Sequence, residues 1–207
     1  MKIFDCFMFY DEELLLDIRL NILDKYVDFF VIVESQFYHN GVKRQLKFDI
    51  KKFNKFKDKI IYIQHKNEPD QISKLNETDN ESIKSYKLIH NAHLRENDQR
   101  NHILNGLKKA KNDDLILISD VDEIPNFNSI NLSKIKNQII MFEQEIFYYK
   151  FNRYLTNFKW FGTKACRKKD LQSPQWLRNI KNKKYPFWRI DTFFSKNKYI
   201  NKIYIKN

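Results

Sequence analysis

Residues 114–125 read DLILISDVDEIP: a mainly apolar run, Asp114–Ser119 (DLILIS), passes directly into Asp120-Val121-Asp122-Glu123 and stops at Pro125. A short apolar run bounded by carboxylates and a proline suits a strand buried on both faces. Two runs of the same kind stand upstream, Ile3–Phe9 (IFDCFMF) and Val27–Glu34 (VDFFVIVE). Between them Asp11-Glu12-Glu13 opens a helix, because acids favour the positive end of a helix dipole. Leu15, Ile18 and Ile22 give that helix an apolar stripe at i, i+3, i+7. Lys59–Gln64 (KIIYIQ) predicts a further strand, the polar residues 66–82 a loop, and 84–110 a long helix with Ile103, Leu104 and Leu107 inward. Ile135–Phe151 holds at least one more strand. Alternating strands and helices predict an α/β domain with a mostly parallel central sheet.

The glycine count excludes more than any other. The chain has three, Gly41, Gly106 and Gly162, far apart. A P-loop or a Rossmann fingerprint needs glycines clustered at fixed short spacing. Any nucleotide is therefore bound without a glycine cradle.

The formal net charge of +12 is unevenly spread. Residues 150–207 hold sixteen Lys/Arg against Asp170 and Asp191, a balance of +14, and residues 1–149 hold 22 basic and 24 acidic residues, a balance of −2. A basic end of this kind suits nucleic acid, an anionic membrane or a phosphorylated ligand; a lysine-rich composition without function is the plainer reading. Aromatics interleave with the basic residues over 147–160, and they predict a core strand with a small second cluster in preference to a base-stacking platform. Cys6 and Cys166 are too few for a disulfide framework and have no C-x-x-C spacing. His90 and His93 share a helix face but lack further ligands at zinc spacing. No apolar run approaches the length of a membrane span. A cytoplasmic protein, peripheral at the inner membrane face through its basic end, is the expected localisation.

The chemistry falls on two stretches. Asp-x-Asp is common by chance, yet here it follows a core strand, and ligands of α/β sheets bind at the carboxyl ends of strands. Oxygen ligands at Asp120 and Asp122 can hold Mg²⁺ or Mn²⁺, which in turn holds a diphosphate. The helix leading into that strand carries Arg95-Glu96-Asn97-Asp98-Gln99-Arg100-Asn101, with Arg95/Gln99 and Glu96/Arg100 as i, i+4 neighbours. This is either a salt-bridged solvent face or a helix that aims Arg100 and Asn101 at a metal-bound anion.

These residues resemble glycosyltransferase family 17, the β-1,4-mannosyl-glycoprotein 4-β-N-acetylglucosaminyltransferase family. The likeness runs in order through Asp5–Phe9, Glu13–Leu23 with Ile18-Arg19-Leu20-Asn21, Val27–Ser35, Gly41-x-Lys43 with Leu46, Arg95-Glu96 with Gln99-Arg100-Asn101, and Leu117–Pro125. It continues through Tyr148-Tyr149, Asn152, Trp160-x-Gly162-Thr163-Lys164, and Ser173-Pro174 with Arg178. The resemblance implies a GT-A-like fold, a nucleotide-sugar donor (UDP-N-acetylglucosamine), a divalent metal, and inverting transfer to a glycan or lipid-linked saccharide hydroxyl, with no nucleic acid partner. It implies that Asp120 and Asp122 hold Mn²⁺ or Mg²⁺, that Glu123 orients the metal shell or acceptor, and that Arg100 and Asn101 contact the donor. Glu34 is placed near the nucleoside, and Lys43 near the diphosphate or acceptor. Glu143, Glu145 and Asp191 stand as candidates for the general base.

Residues 1–150 are expected to form the nucleotide-sugar and metal-binding core, and 151–207 a basic aromatic acceptor-side segment of the same domain. There the family pattern departs. A Gly-Gly-Trp-His-Phe-Ser-like segment corresponds to Phe187–Ser195, which has neither the glycine pair nor the histidine. A catalytically inactive sugar-nucleotide-binding protein and a basic nucleic-acid-binding protein are the alternative expectations.

Overall fold

The structure, a computed structural model, describes residues 1–128, 130–136, 138–147, 149, 152–156, 158–182 and 201–206. Among them, strand β1 (Ile3–Phe9) leads to helix α1 (Glu13–Leu23), β2 (Phe29–Ser35) and β3 (Ile60–His65). Helix α2 (Glu81–Asn101) and a 3-10 segment (His102–Leu107) then lead to β4 (Leu115–Ser119). The later elements are β5 (Ile139–Phe142), β6 (Lys164–Arg167), α3 (Pro174–Asn179) and β7 (Lys202–Ile205). The seven strands form one sheet in the order β3-β2-β1-β4-β6-β5-β7. β1 pairs in parallel with β2 and β4, β2 with β3, and β5 with β7; β6 runs antiparallel to both its neighbours. The protein is thus α/β with a mostly parallel sheet, an arrangement compatible with a GT-A-like domain.

Period-two alternation of side chains sorts the core into two layers. Phe7, Phe9, Phe30, Ile32, Leu115 and Leu117 pack under α1 through Leu16, Leu20 and Leu23. Phe4, Cys6, Val31, Val33, Ile116 and Ile118 pack on the opposite side against Ile103, Leu107 and Leu177. Helices on both faces explain why these strands are continuously apolar. The chain runs outward from β1 to β3 and then returns to β4 on the other side of β1. The carboxyl ends of β1, β2 and β4 therefore border the crevice where strand order reverses, the usual ligand position in such sheets.

Three expectations are corrected. The buried face of α1 is Leu16, Arg19, Leu20 and Leu23, with Ile22 48% exposed; a stripe with an arginine at its centre is invisible to apolar periodicity. The helix expected over 84–110 ends at Asn101 and tightens into the 3-10 segment, leaving Leu104 exposed. In a 3-10 turn residues i and i+3 eclipse, which aligns Ile103 and Gly106 toward the sheet, both buried. Among the described residues of the aromatic run 147–160, Phe147, Tyr149, Tyr154, Phe158 and Trp160 are exposed, with bridges Phe147↔Tyr154 and Gln144↔Trp160, so those side chains do not face the core. β6 carries too few apolar residues to be anticipated. Only Ala165 and Cys166 of β6 are apolar, and the ammonium of the buried Lys164 donates to the Arg178 carbonyl.

Gly106 sets how closely the 3-10 segment approaches the sheet. A Cβ there would lie 2.4 Å from Val31 Cγ1. Gly106→Ala is expected to destabilise the fold by about 1–3 kcal/mol through overpacking. Adding Val31→Ala should recover part of that loss in urea unfolding; no recovery would contradict this contact.

Candidate active site

The site is assembled by a charge buried under it. Arg19 of α1 and Asp5 of β1 have fully buried side chains and form a two-pronged ion pair, Nε to Oδ2 at 2.8 Å and Nη2 to Oδ1 at 2.6 Å. Nη2 also donates to Ser119 Oγ at the end of β4 (2.5 Å). Nη1 donates to the carbonyls of Asp120, Val121 and Glu123 at 3.1, 3.2 and 3.0 Å. A planar, always-charged guanidinium can meet that many acceptors at once. The loop after β4 is therefore shaped from below, which leaves Asp120 and Asp122 on the cleft and Glu123 enclosed behind them.

The three carboxylates then have different surroundings. Glu123 is 8% exposed and its oxygens accept four hydrogen bonds: from Asp120 N (2.8 Å), Trp160 Nε1 (2.8 Å), and Arg178 Nη1 and Nη2 (2.6 and 2.8 Å). A Cβ on Gly162 would lie 2.3 Å from the Glu123 carboxyl carbon, so only glycine lets this clamp form. Asp120 is more open, at 38% side-chain exposure, and bridges two arginines: Oδ2 to Arg178 Nη2 at 2.6 Å and Oδ1 to Arg100 Nη2 at 3.2 Å. Asp122 is exposed as a residue, but partial burial of its carboxyl and the Glu123 and Asp120 charges beside it raise its pKa.

These groups border a cleft of about 640 Å³ at the carboxyl ends of β1, β2 and β4. Asp120, Asp122, Glu96 and Arg100 line one part of it, and Tyr10, Phe37, Tyr38 and Arg44 another. The Tyr10 and Tyr38 rings are 5.5 Å apart, and the Arg44 guanidinium lies 4.3 Å from the Tyr10 ring centre. Nε of Arg44 and Nε of Arg100 are buried with no hydrogen-bond partner among the described residues. A cleft with two partly unpaired guanidiniums, an aromatic wall and two outward carboxylates is equipped for an anion attached to a flat polar group.

The expected site residues divide accordingly. Asp120, Asp122 and Arg100 face the cleft, with Glu123 behind them. Glu34 is fully buried, paired with Arg44 at 3.0 Å; it accepts from the backbone of Lys47 and Phe48 and from the Tyr62 hydroxyl. Lys43 is exposed, outside the cleft lining, and 5.9 Å from the Phe37 ring. The Asn101 carboxamide accepts from Gln175 N at 3.0 Å and so ties α3 to α2. The Glu96–Arg100 pair forms at 2.9 Å, whereas Arg95 turns to Glu68 and Gln99 donates to the Val33 carbonyl. Glu143 pairs with Lys159, and neither it nor Glu145 lines the cleft; Asp191 lies outside the described residues, as do Phe187–Ser195. Sequence reasoning passed over Arg44, Arg19, Tyr10 and Tyr38 as site residues. Their only sequence signal was an arginine inside an otherwise apolar helix, at Arg19.

Arg19→Met is expected to destabilise the fold by about 3–5 kcal/mol, because it leaves Asp5 buried without its counter-charge. Asp5→Leu combined with Arg19→Met should restore much of the stability while amide exchange over residues 120–124 stays accelerated, since the carbonyls of that loop have lost their donor. Exchange that returns to the wild-type rate in the double variant would contradict the pinning role.

A search of curated proteins found no match. The family profile described as glycosyltransferase family 17 matches residues 1–173, which span β1 to β6, the acidic loop and the cleft lining. Glycosyl transfer from a nucleotide-sugar donor to a glycan acceptor is the activity of that family, and the cleft at the sheet's switch point lies wholly within the matched residues. The chain belongs to glycosyltransferase family 17.

Proposed function

We propose that this glycosyltransferase moves N-acetylglucosamine from UDP-N-acetylglucosamine to a glycan or lipid-linked saccharide hydroxyl, with inversion, using Mn²⁺ or Mg²⁺ at Asp120 and Asp122. The observation that carries this reading is the pairing, across one cleft, of two outward carboxylates with two arginines that keep buried unpaired N–H groups. The donor set fits a hard divalent cation. Asp122 is crowded by like charge, which a cation relieves, and Asp120 remains partly open. Mg²⁺ and Mn²⁺ are commonly held by one or two carboxylates, with substrate phosphates completing the shell. When bound, the metal would offset charge on the leaving diphosphate.

The chain's own residues do the rest. Arg100 is oriented by Glu96 and Gln175 and presents its guanidinium beside Asp120, where a diphosphate would lie. Tyr10 and Tyr38, backed by Arg44, offer a stacking surface for the base. Glu34 acts through Arg44, as a positioning residue. Arg178 and Glu123 hold Asp120 at a set angle, so that it meets the cation without rearranging first. The exposed aromatics of 147–160 and the basic residues after 150 form the proposed acceptor side, and a peripheral contact with an anionic cytoplasmic leaflet follows from the same charge. Among the described residues no helix is long and apolar enough to cross a membrane.

Release of UDP from UDP-N-acetylglucosamine, measured with Mn²⁺ and a saccharide acceptor, should fall at least about 100-fold in Asp120→Asn and in Asp122→Asn, since several kcal/mol of charge stabilisation would be lost. Chelator should abolish the reaction and added Mn²⁺ restore it. Turnover unaffected by chelator and by both substitutions would overturn the metal assignment, and absence of UDP binding would overturn the donor.

A further inference from the structure

A second group of ligating side chains lies outside the cleft lining. His65, Asp98 and His102 each place one ligand atom within 4.8 Å of the other two. His65 ends β3. Asp98 and His102 stand one helical turn apart where α2 closes, so their side chains overlie on one face. His65 Nε2 is 2.7 Å from Asp98 Oδ2, and the two imidazole rings are 4.1 Å apart between centres. The ligands come from the end of β3, the last turn of α2 and the first residue of the 3-10 segment, with His65 33 residues or more from the other two in the chain, which is why sequence spacing did not show the group.

The hydrogen bonds behind the rings point the same way. His102 Nδ1 is 3.1 Å from the Asp98 carbonyl oxygen. A carbonyl only accepts, so Nδ1 carries the hydrogen and Nε2 keeps its lone pair. His65 Nδ1 is 3.1 Å from Ser35 Oγ, an oxygen able to accept from it. Backing of each imidazole by an oxygen at the far nitrogen is the usual outer shell of metal-bound histidines. Asp98 and His102 are about a third exposed, so an ion has a way in and room for a water.

We propose that His65, Asp98 and His102 bind a divalent transition-metal ion of the zinc class, at a site separate from Asp120 and Asp122. Two imidazoles and one carboxylate suit Zn²⁺ or Co²⁺ and are poor ligands for Mg²⁺ or Ca²⁺, which prefer all-oxygen shells. The ion takes the place of the proton shared by His65 and Asp98. It joins the end of β3 to the end of α2, next to Ser35 and Gln99, both of which line the cleft. Its role is therefore to stiffen the wall of the cleft, and no chemistry at the sugar is assigned to it.

The full chain, stripped with chelator and titrated with Co²⁺ and then with Zn²⁺, tests this. One equivalent of Co²⁺ should bind with visible absorption bands of low coordination number, be displaced by Zn²⁺, and raise Tm. His102→Ala and Asp98→Asn, both at partly exposed positions, should each weaken binding at least 10-fold and remove the Tm shift. Asp120→Asn/Asp122→Asn and His90→Ala/His93→Ala should leave the Co²⁺ bands unchanged. Wild-type protein that binds no Co²⁺, or bands that survive in His102→Ala, would overturn the proposal. Since the readout is spectroscopic, it stands or falls apart from the donor and metal assigned to the cleft.

Discussion

The Arg19–Asp5 ion pair is the interaction on which the rest of the site depends. Removing two charges from water costs several kcal/mol per ion, and only complete hydrogen bonding offsets it. The offset here comes from both carboxylate oxygens of Asp5, the Ser119 hydroxyl and three carbonyls of the loop that follows. One side chain therefore locks α1 to β1 and also dictates the path of residues 119–123. The acidic loop is ordered by a residue a hundred positions earlier in the chain, and its shape does not depend on any glycine turn.

Above that foundation lies a second layer of charge. Glu123 is enclosed and saturated, and its task is to hold Arg178 and Trp160. Arg178 in turn holds Asp120 from one side while Arg100 holds it from the other. Burial of the Asp122 carboxyl, with the Glu123 and Asp120 charges beside it, raises its pKa. Charges held this firmly would need no reorganisation in the proposed transfer, where negative charge develops on a leaving diphosphate. The Gly162 backbone is part of the same arrangement, because any side chain there would occupy the place of the Glu123 carboxyl.

Much of the architecture was legible in the sequence because strands covered on both faces show as mainly apolar runs, as in residues 3–9, 29–35 and 115–119, with Asp5 the charged exception inside the first. The position of Asp120 and Asp122 at a strand end was legible for the same reason. What escaped were features set by pairing across the fold. Arg19 disguised the inner face of α1, and no sequence pattern around Arg44 foretells its contacts with Glu34 and the Tyr10 ring. The resemblance placed Glu34 near the nucleoside; its carboxylate is engaged by Arg44, the Tyr62 hydroxyl and the backbone of Lys47 and Phe48. The basic composition after residue 150 hid β6, a four-residue strand that stands between β4 and β5.

A single structure can decide whether Asp120 and Asp122 form the cation and diphosphate end of the cleft and the Tyr10–Tyr38 wall its base end, as proposed. A crystal of the full chain grown with UDP and Mn²⁺, with anomalous data collected at the manganese edge, measures this directly. The predicted result is a manganese peak between Asp120 and Asp122, with the diphosphate alongside Arg100 and the uracil against Tyr10. A diphosphate bound elsewhere, or a cleft peak displaced from both carboxylates, would contradict it.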